Sequence, residues 1–193
     1  KISELKEIRS PNGDQLIVSS MLKLSNGNIL LGTSGKDVIV LNDQLKPQKT
    51  IELNKGRRSL NRVTKMIQRK KLGDIWMSTY YGIYVFSSDL KPKKSYMIDQ
   101  NGLNTSYFLS IYESTDGQIW LGGNFGFSKY LDAQDSFRHF TYNKHDLEHS
   151  PGFNFISGFH DFGDGQLWVA SYGGGLSSMD IENETFRHYT SQQ

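Results

Sequence analysis

Cysteine is absent from this 193-residue sequence, which rules out disulfides and thiolate chemistry and leaves cytoplasm and periplasm equally open. No stretch approaches the ~18 consecutive apolar residues of a membrane-spanning helix. Apolar residues at helical spacing persist for no more than a turn or two, so an α-helical domain is excluded. No glycine-rich segment opens a helix: Gly173-Gly174-Gly175 punctuates strand-like sequence, which excludes a phosphate cradle of the nucleotide-loop kind. A secretory leader is also missing, and the sequence starts at Lys1, as a processed or excised segment would. Net charge is small, at +2.

What is present is a repeat. Asp116-Gly117-Gln118-Ile119-Trp120-Leu121-Gly122-Gly123-Asn124-Phe125-Gly126-Phe127 places a turn, an apolar strand, a second turn and another strand within one short stretch. Asp-Gly is a preferred pair for a two-residue hairpin, in which both central residues take positive φ. The same slots recur at Asn26–Thr33, Gly73–Phe86 and Asp164–Leu176. The aromatic slot falls at Leu30, Trp76, Trp120 and Trp168, with spacings of 46, 44 and 48 residues. A strand precedes each turn, at Ile17–Leu24, Val63–Gln68, Tyr107–Glu113 and Phe155–Asp161. A fourth strand follows, at Gln48–Leu53, Lys94–Ile98, Phe137–Thr141 and Phe186–Thr190. About four strands in a period of roughly 40–50 residues is the pattern of a β-propeller blade.

The expected fold is therefore all-β: a β-propeller of about four four-stranded antiparallel blades. Blade 1 is expected at residues 11–54, blade 2 at 55–99, blade 3 at 100–143 and blade 4 at 144–193. Residues 1–10 are read as the outer strand of a preceding blade, with Ile2–Ile8 as its core. Because blade 4 already has an outer strand of its own, the chain is expected to be a partial segment of a larger, seven- or eight-bladed propeller. A closed four-bladed ring is the alternative. An open arc would leave blade faces uncovered and so would self-associate through its ends. Charge is unevenly placed: residues 1–96 hold 18 Lys/Arg against 8 Asp/Glu, and residues 97–193 hold 4 against 12. The basic half would suit an anionic ligand or partner, the solubility of turns, or attraction between opposite halves of neighbouring molecules.

The pattern [Asp/Asn]-Gly-x-[Ile/Leu]-Trp-[aliphatic]-Gly-[Thr/Ser]-x-x-Gly-[Leu/Ile] resembles the two-component regulator propeller repeat. The Trp120 copy fits best, with Gly123 at the Thr/Ser position. The Trp76 copy has Ser78 for the first Gly, and the Trp168 copy has Ala170 there and one extra residue before Gly175. The Leu30 copy has Leu for Trp and Asp37 for the second Gly. The resemblance implies the extracytoplasmic, periplasmic sensor region of a hybrid two-component histidine kinase in bacteria that respond to polysaccharides. The kinase would lie across the membrane, in parts of the parent chain outside these residues. The Asp-box of sialidase-type propellers fails at Ser114–Trp120, and WD-type signatures do not recur.

Trp76, Trp120 and Trp168 recur in a buried-strand slot, which assigns them, with Leu30, to packing between blades. Asp116 and Asp164 are read as turn residues tolerant of left-handed backbone. His145 and His149 stand four apart in a polar loop without a helix to align them as metal ligands. His139 and His188 occupy equivalent outer-strand slots, and His160 ends an inner strand. No catalytic residue, metal site or cofactor is assigned. Binding is expected where two sets of loops converge: Arg57, Arg58, Asn61, Asn104, Tyr107 and Asn154 in one, and Lys36, Tyr80, Tyr81, Asn124, Phe125 and Tyr172 in the other. Aromatic faces with amides suit sugar rings, and the cations suit carboxylate or sulfate groups, so the expected ligand is an oligosaccharide, neutral or anionic. Nucleic acid is not an expected partner. The alternatives are a lyase or hydrolase with His160 at the axis, and a protein-interaction scaffold that uses the basic half.

Overall fold

The structure is a computed structural model that describes residues 9–13, 15–34, 38–53, 62–97, 102–105 and 107–190. Among the described residues it contains sixteen strands and no helix. Strands β1 (Val18–Lys23), β2 (Ile29–Thr33), β3 (Val38–Leu41) and β4 (Pro47–Ile51) form the first sheet. The second holds β5 (Val63–Gln68), β6 (Ile75–Thr79), β7 (Gly82–Phe86) and β8 (Pro92–Met97). The third holds β9 (Phe108–Glu113), β10 (Ile119–Gly123), β11 (Gly126–Leu131) and β12 (Ser136–Phe140). The fourth holds β13 (Ile156–Asp161), β14 (Gln166–Ser171), β15 (Gly175–Asp180) and β16 (Phe186–Tyr189). Each sheet is an antiparallel meander in chain order. The first strands touch in succession, β1 on β5, β5 on β9 and β9 on β13. These are four blades of a β-propeller. The expected strand at Ile2–Ile8 lies outside the described residues.

The repeat has a packing cause. Cross-strand partners share a face, so Tyr112, Trp120, Lys129 and Arg138 form one row across the third sheet. Ser110, Gly122, Phe127 and Phe140 form the adjoining row. This front face packs on Ile156, Leu167, Val169, Met179 and Phe186 of the fourth sheet. The second sheet presents Ile67, Trp76, Ile83 and Tyr96 in the same slots to Phe108, Ile111, Ile119, Leu121 and Tyr130 of the third. The first presents Leu22, Leu30, Val38 and Ile51 to Val63, Met66, Ile75 and Met77. Leu30 and Trp120 are fully buried and Trp76 is 1% exposed.

The small residue after the aromatic slot follows from this packing. A Cβ on Gly122 would lie 2.8 Å from Ile156 Cγ2, and one on Gly32 would lie 2.7 Å from Val63 Cβ. The next blade's first strand comes in at that point, and only a very small side chain leaves it room. Each first strand also carries a bulge; in blades 1 and 2 its extra residue points a hydroxyl at the following blade, whereas in blade 3 it is Leu109. Ser19 Oγ donates to Val63 O at 2.6 Å, and Thr64 Oγ1 to Phe108 O at 2.7 Å.

Two local expectations are corrected. The Asp116-Gly117 and Asn26-Gly27 turns have positive φ only at the glycine. The Gly117 amide donates to Ser114 O and the Ser114 amide to Gln118 O, which makes a longer turn closed by a glycine bulge. Asp116 and Asp164 therefore do not use left-handed backbone; each carboxylate instead accepts the amide two residues on, from Gln118 and Gln166 at 3.1 Å. The non-glycine residues that do take positive φ are Leu45, Leu90, Asp135 and Glu184, one in the last hairpin of each blade.

Candidate functional site

The loops that join the second and third strands of each blade share a rim with the loops that lead into the next blade. Of the expected rim residues, Lys36, Arg57, Arg58 and Asn61 lie outside the described residues. The others fall into three groups, one for each seam or blade.

In the first group Tyr80 and Tyr107 stack across the seam between blades 2 and 3, with ring centroids 4.1 Å apart and planes 23° apart. The Arg62 guanidinium lies 5.4 Å from the Tyr80 ring centroid, a cation–π contact. The Tyr107 phenol is raised above its ordinary pKa, first by its hydrogen bond with Tyr80 and then by burial, while Arg62 pulls the other way. The adjoining turn is clasped by Thr79, whose Oγ1 accepts the amides of Tyr81 and Gly82 at 3.0 and 3.1 Å and donates to Gly82 O. Tyr80, Tyr81 and Tyr107 are each half-buried.

The second group belongs to blade 3. Asn104 Nδ2 donates to Phe125 O at 3.1 Å, and Thr105 Oγ1 donates to Asn124 Oδ1 at 2.6 Å. Two residues of the leading loop thus fix the Asn124-Phe125 turn, and its aromatic ring stands out, 57% exposed. Asn154 ties this turn to blade 4: its carbonyl accepts the Gly126 amide at 2.6 Å and its side chain accepts the Tyr142 amide at 2.7 Å.

In the third group the Tyr172 amide donates to Phe155 O at 2.8 Å and the two rings meet at 5.7 Å. Tyr172 is 76% exposed. Phe125 and Tyr172 therefore offer open aromatic faces, whereas Tyr80 is already occupied by a ring and a cation.

Arg62, Thr105 and Phe155 were not singled out in the sequence. Thr105 had a legible signal, a hydroxyl two residues before Tyr107 that accepts the Tyr107 amide at 3.1 Å, a local turn of the Ser/Thr type. Arg62 and Phe155 had none, since neither repeats.

The histidines sort themselves by partner. His139 Nδ1 pairs with Ser128 Oγ at 2.8 Å and His139 Nε2 with Gly102 O at 2.6 Å. His188 repeats this with Ser177 Oγ at 2.9 Å and Leu147 O at 2.8 Å. Both imidazoles clip the loop leading into their own blade. His149 pairs with Asp146 at 2.9 Å, which raises its pKa. His160 is exposed and stands beside Phe162 at 4.6 Å. Cross-strand pairing places it on the sheet face next to Trp168, not among acidic loop residues. Among the described residues no group of three or more His, Asp or Glu side chains could hold a metal ion.

Opposite the rim, a polar recess of about 390 Å³ is lined by Thr115, Asp116, Asp161, Asp164 and Asp180. Burial pushes the Asp161 carboxyl up, but the Thr115 hydroxyl and amide, the Gly163 amide and Tyr112 outweigh it and hold it below the usual range. Its bonds are inward, and it locks blade 3 to blade 4.

Stacked four-stranded meanders with a rim of dissimilar loops define a β-propeller. Residues 102–125 match the family model described as two component regulator propeller. No curated protein matches the chain in sequence. Among solved structures the chain is similar to an extracellular domain described as that of a hybrid two component system, BT3049, from B. thetaiotaomicron, at 18% identity and TM-score 0.77. That similarity covers 99% of this chain and 26% of the other. A second such domain, BT4673 of the same organism, gives 17% identity and TM-score 0.54 over 91% of this chain and 31% of that one. A protein of unknown function from Bacteroides caccae gives 15% identity and TM-score 0.56 over 89% and 69%. The chain spans about a quarter to a third of the two hybrid-system domains.

Proposed function

We propose that this chain is a ligand-sensing segment of the extracytoplasmic, periplasmic propeller of a hybrid two-component histidine kinase, and that its ligand is an oligosaccharide. The observation that carries the reading is the match of residues 102–125 to the two component regulator propeller repeat, in a chain whose four blades all repeat that unit. The segment binds and does no chemistry. Phe125 and Tyr172 offer faces for the C–H surface of sugar rings; Asn104, Asn124 and Asn154 keep the Phe125 turn in place, and Phe155 holds Tyr172. Binding favours one arrangement of the sensor over another, and the difference in affinity between the two arrangements is the signal. Arg57 and Arg58 remain candidates for a carboxylate or sulfate on the ligand.

The test is isothermal titration of the intact propeller region with neutral, uronic and sulfated oligosaccharides. A saturable response to one class, weakened about fivefold or more in Tyr172→Ala or Phe125→Ala, is expected, since loss of an aromatic anchor costs ~1–3 kcal/mol. No response to any class would overturn the carbohydrate reading.

A further inference from the structure

The first strands β1, β5, β9 and β13 touch in succession and so line the inner side of the arc. In each, one residue stands opposite the small residue that follows the aromatic slot. The pairs are Ser20 with Gly32, Lys65 with Ser78, Ser110 with Gly122 and Gly158 with Ala170. At the first seam the Ser20 hydroxyl reaches forward and donates to Val63 O at 3.3 Å.

The seam between blades 3 and 4 departs from this arrangement. Ser110 is 7% exposed, and its Oγ has no hydrogen-bond partner. A buried hydroxyl left in that condition carries the full cost of its lost hydration. Gly158 has no local reason to be glycine: its φ is not positive, and a Cβ there would meet nothing within 4 Å. Space therefore stays open where the other three blades carry a side chain. Lys65, the one cation in this set of slots, is exposed and makes no ion pair among the described residues.

These departures meet in one cavity of about 190 Å³, whose walls include Lys65, Leu109, Ser110, Ser157, Gly158 and Phe159. No Asp or Glu lines it. We propose that this cavity binds a carboxylate carried on a small body, either a free organic acid or one uronic acid unit of a glycan. Lys65 supplies the matching charge, and Ser110 donates its unpartnered hydroxyl to a carboxylate oxygen. Ser157 stands beside them, its hydroxyl on a long bond of 3.2 Å to Ala170 O. Leu109 and Phe159 offer apolar walls to the carbon body, and the void over Gly158 gives it room. A single lining cation balances a monovalent carboxylate and would leave a divalent phosphate half-compensated. The cavity is smaller than the ~300–1,000 Å³ of pockets for drug-sized ligands, so it takes one unit and not a chain. This site is built from strands, and it does not rest on the reading of the aromatic rim.

The experiment is isothermal titration of the full-length protein with acetate, D-galacturonate, tetragalacturonate and, as the neutral counterpart, D-galactose. Saturable binding of the carboxylates and none of galactose is expected. Lys65→Met should weaken it about fivefold or more, since a charge-assisted hydrogen bond is lost. Gly158→Val, which fills the void, should abolish it. Ser110→Ala should weaken binding while leaving the melting temperature equal or raising it, because the hydroxyl removed had no partner. Phe125→Ala and Tyr172→Ala should leave acetate and galacturonate binding unchanged, which separates this site from the rim. Binding of tetragalacturonate alongside the monomer would assign the site to a glycan terminus, and binding of the small acids alone to a free acid. No response to either acetate or galacturonate, or equal affinity in Lys65→Met and Gly158→Val, would overturn the proposal.

Discussion

Asp135 joins blades 2 and 3 at their outer edge, and its replacement by Asn tests how that seam is held. Its Oδ1 accepts the phenol hydroxyls of Tyr96 at 2.5 Å and Tyr130 at 2.7 Å, and its Oδ2 pairs with Lys94 Nζ at 2.7 Å. Tyr96 and Tyr130 are 2% and 4% exposed, so their hydroxyls depend on this carboxylate. Asn keeps the shape and tolerates the positive φ of 51° at this position, so the substitution removes charge and little else. Two hydrogen bonds to a charged acceptor, at roughly 1.5–3 kcal/mol each, become neutral ones at roughly 0.5–1.5. The carboxylate is 46% exposed, so water screens part of that difference and the Lys94 pair adds little. The expected loss is about 1–2 kcal/mol at pH 7, or a fall in melting temperature of roughly 2–8 °C. Lys94 first, then Tyr96 and Tyr130, hold the Asp135 pKa at about 2, below the ordinary carboxylate value of 3.8. A carboxyl depressed on folding stabilises fully above its unfolded pKa, and this contribution is lost as pH falls from about 4 through 2. Urea denaturation of wild type and Asp135→Asn should therefore show a gap at pH 7 that narrows toward pH 2. No gap at neutral pH, or one that is the same in acid, would refute the account.

Trp120→Ala should cost about 3–5 kcal/mol in urea denaturation, because the fully buried indole fills the seam between blades 3 and 4. Gly122→Ala should cost about 1–3 kcal/mol by the same assay, as its Cβ would lie 2.3 Å from Ser110 Oγ and 2.8 Å from Ile156 Cγ2. Leu45→Gly should leave stability equal or raise it by up to about 1 kcal/mol, since Leu45 is half-exposed at a φ of 62° that glycine adopts without strain.

The fold was legible because its cause is periodic. An aromatic followed by a small residue every 44 to 48 positions records where one blade's front meets the next blade's first strand, and that need recurs at every seam. The turns were legible in place but not in type: Asp116-Gly117 and Asn26-Gly27 read as two-residue hairpins, and register across the strands chose a longer turn with one left-handed glycine. Trp168 is only half-buried, and this escaped the sequence for a different reason. Its slot is identical to that of Trp120, and burial depends on what stands in front of it. The rim was legible only as a set of loops. That Tyr80 and Tyr107 would stack on each other while Phe125 and Tyr172 stay open follows from single contacts of Arg62, Thr105 and Phe155, which repeat nowhere in the chain.

The one-way hand-off of each bulge hydroxyl, from Ser19 to Val63 and from Thr64 to Phe108, has a consequence for biosynthesis. A blade leaving the ribosome can close its rear at once on the blade already made, but its front waits for its successor. With 44 to 48 residues between equivalent positions, and translation at roughly 5–20 residues per second, each new front face stands bare for about 2–10 s. The adhesive leading face of the nascent chain therefore moves forward with every blade completed.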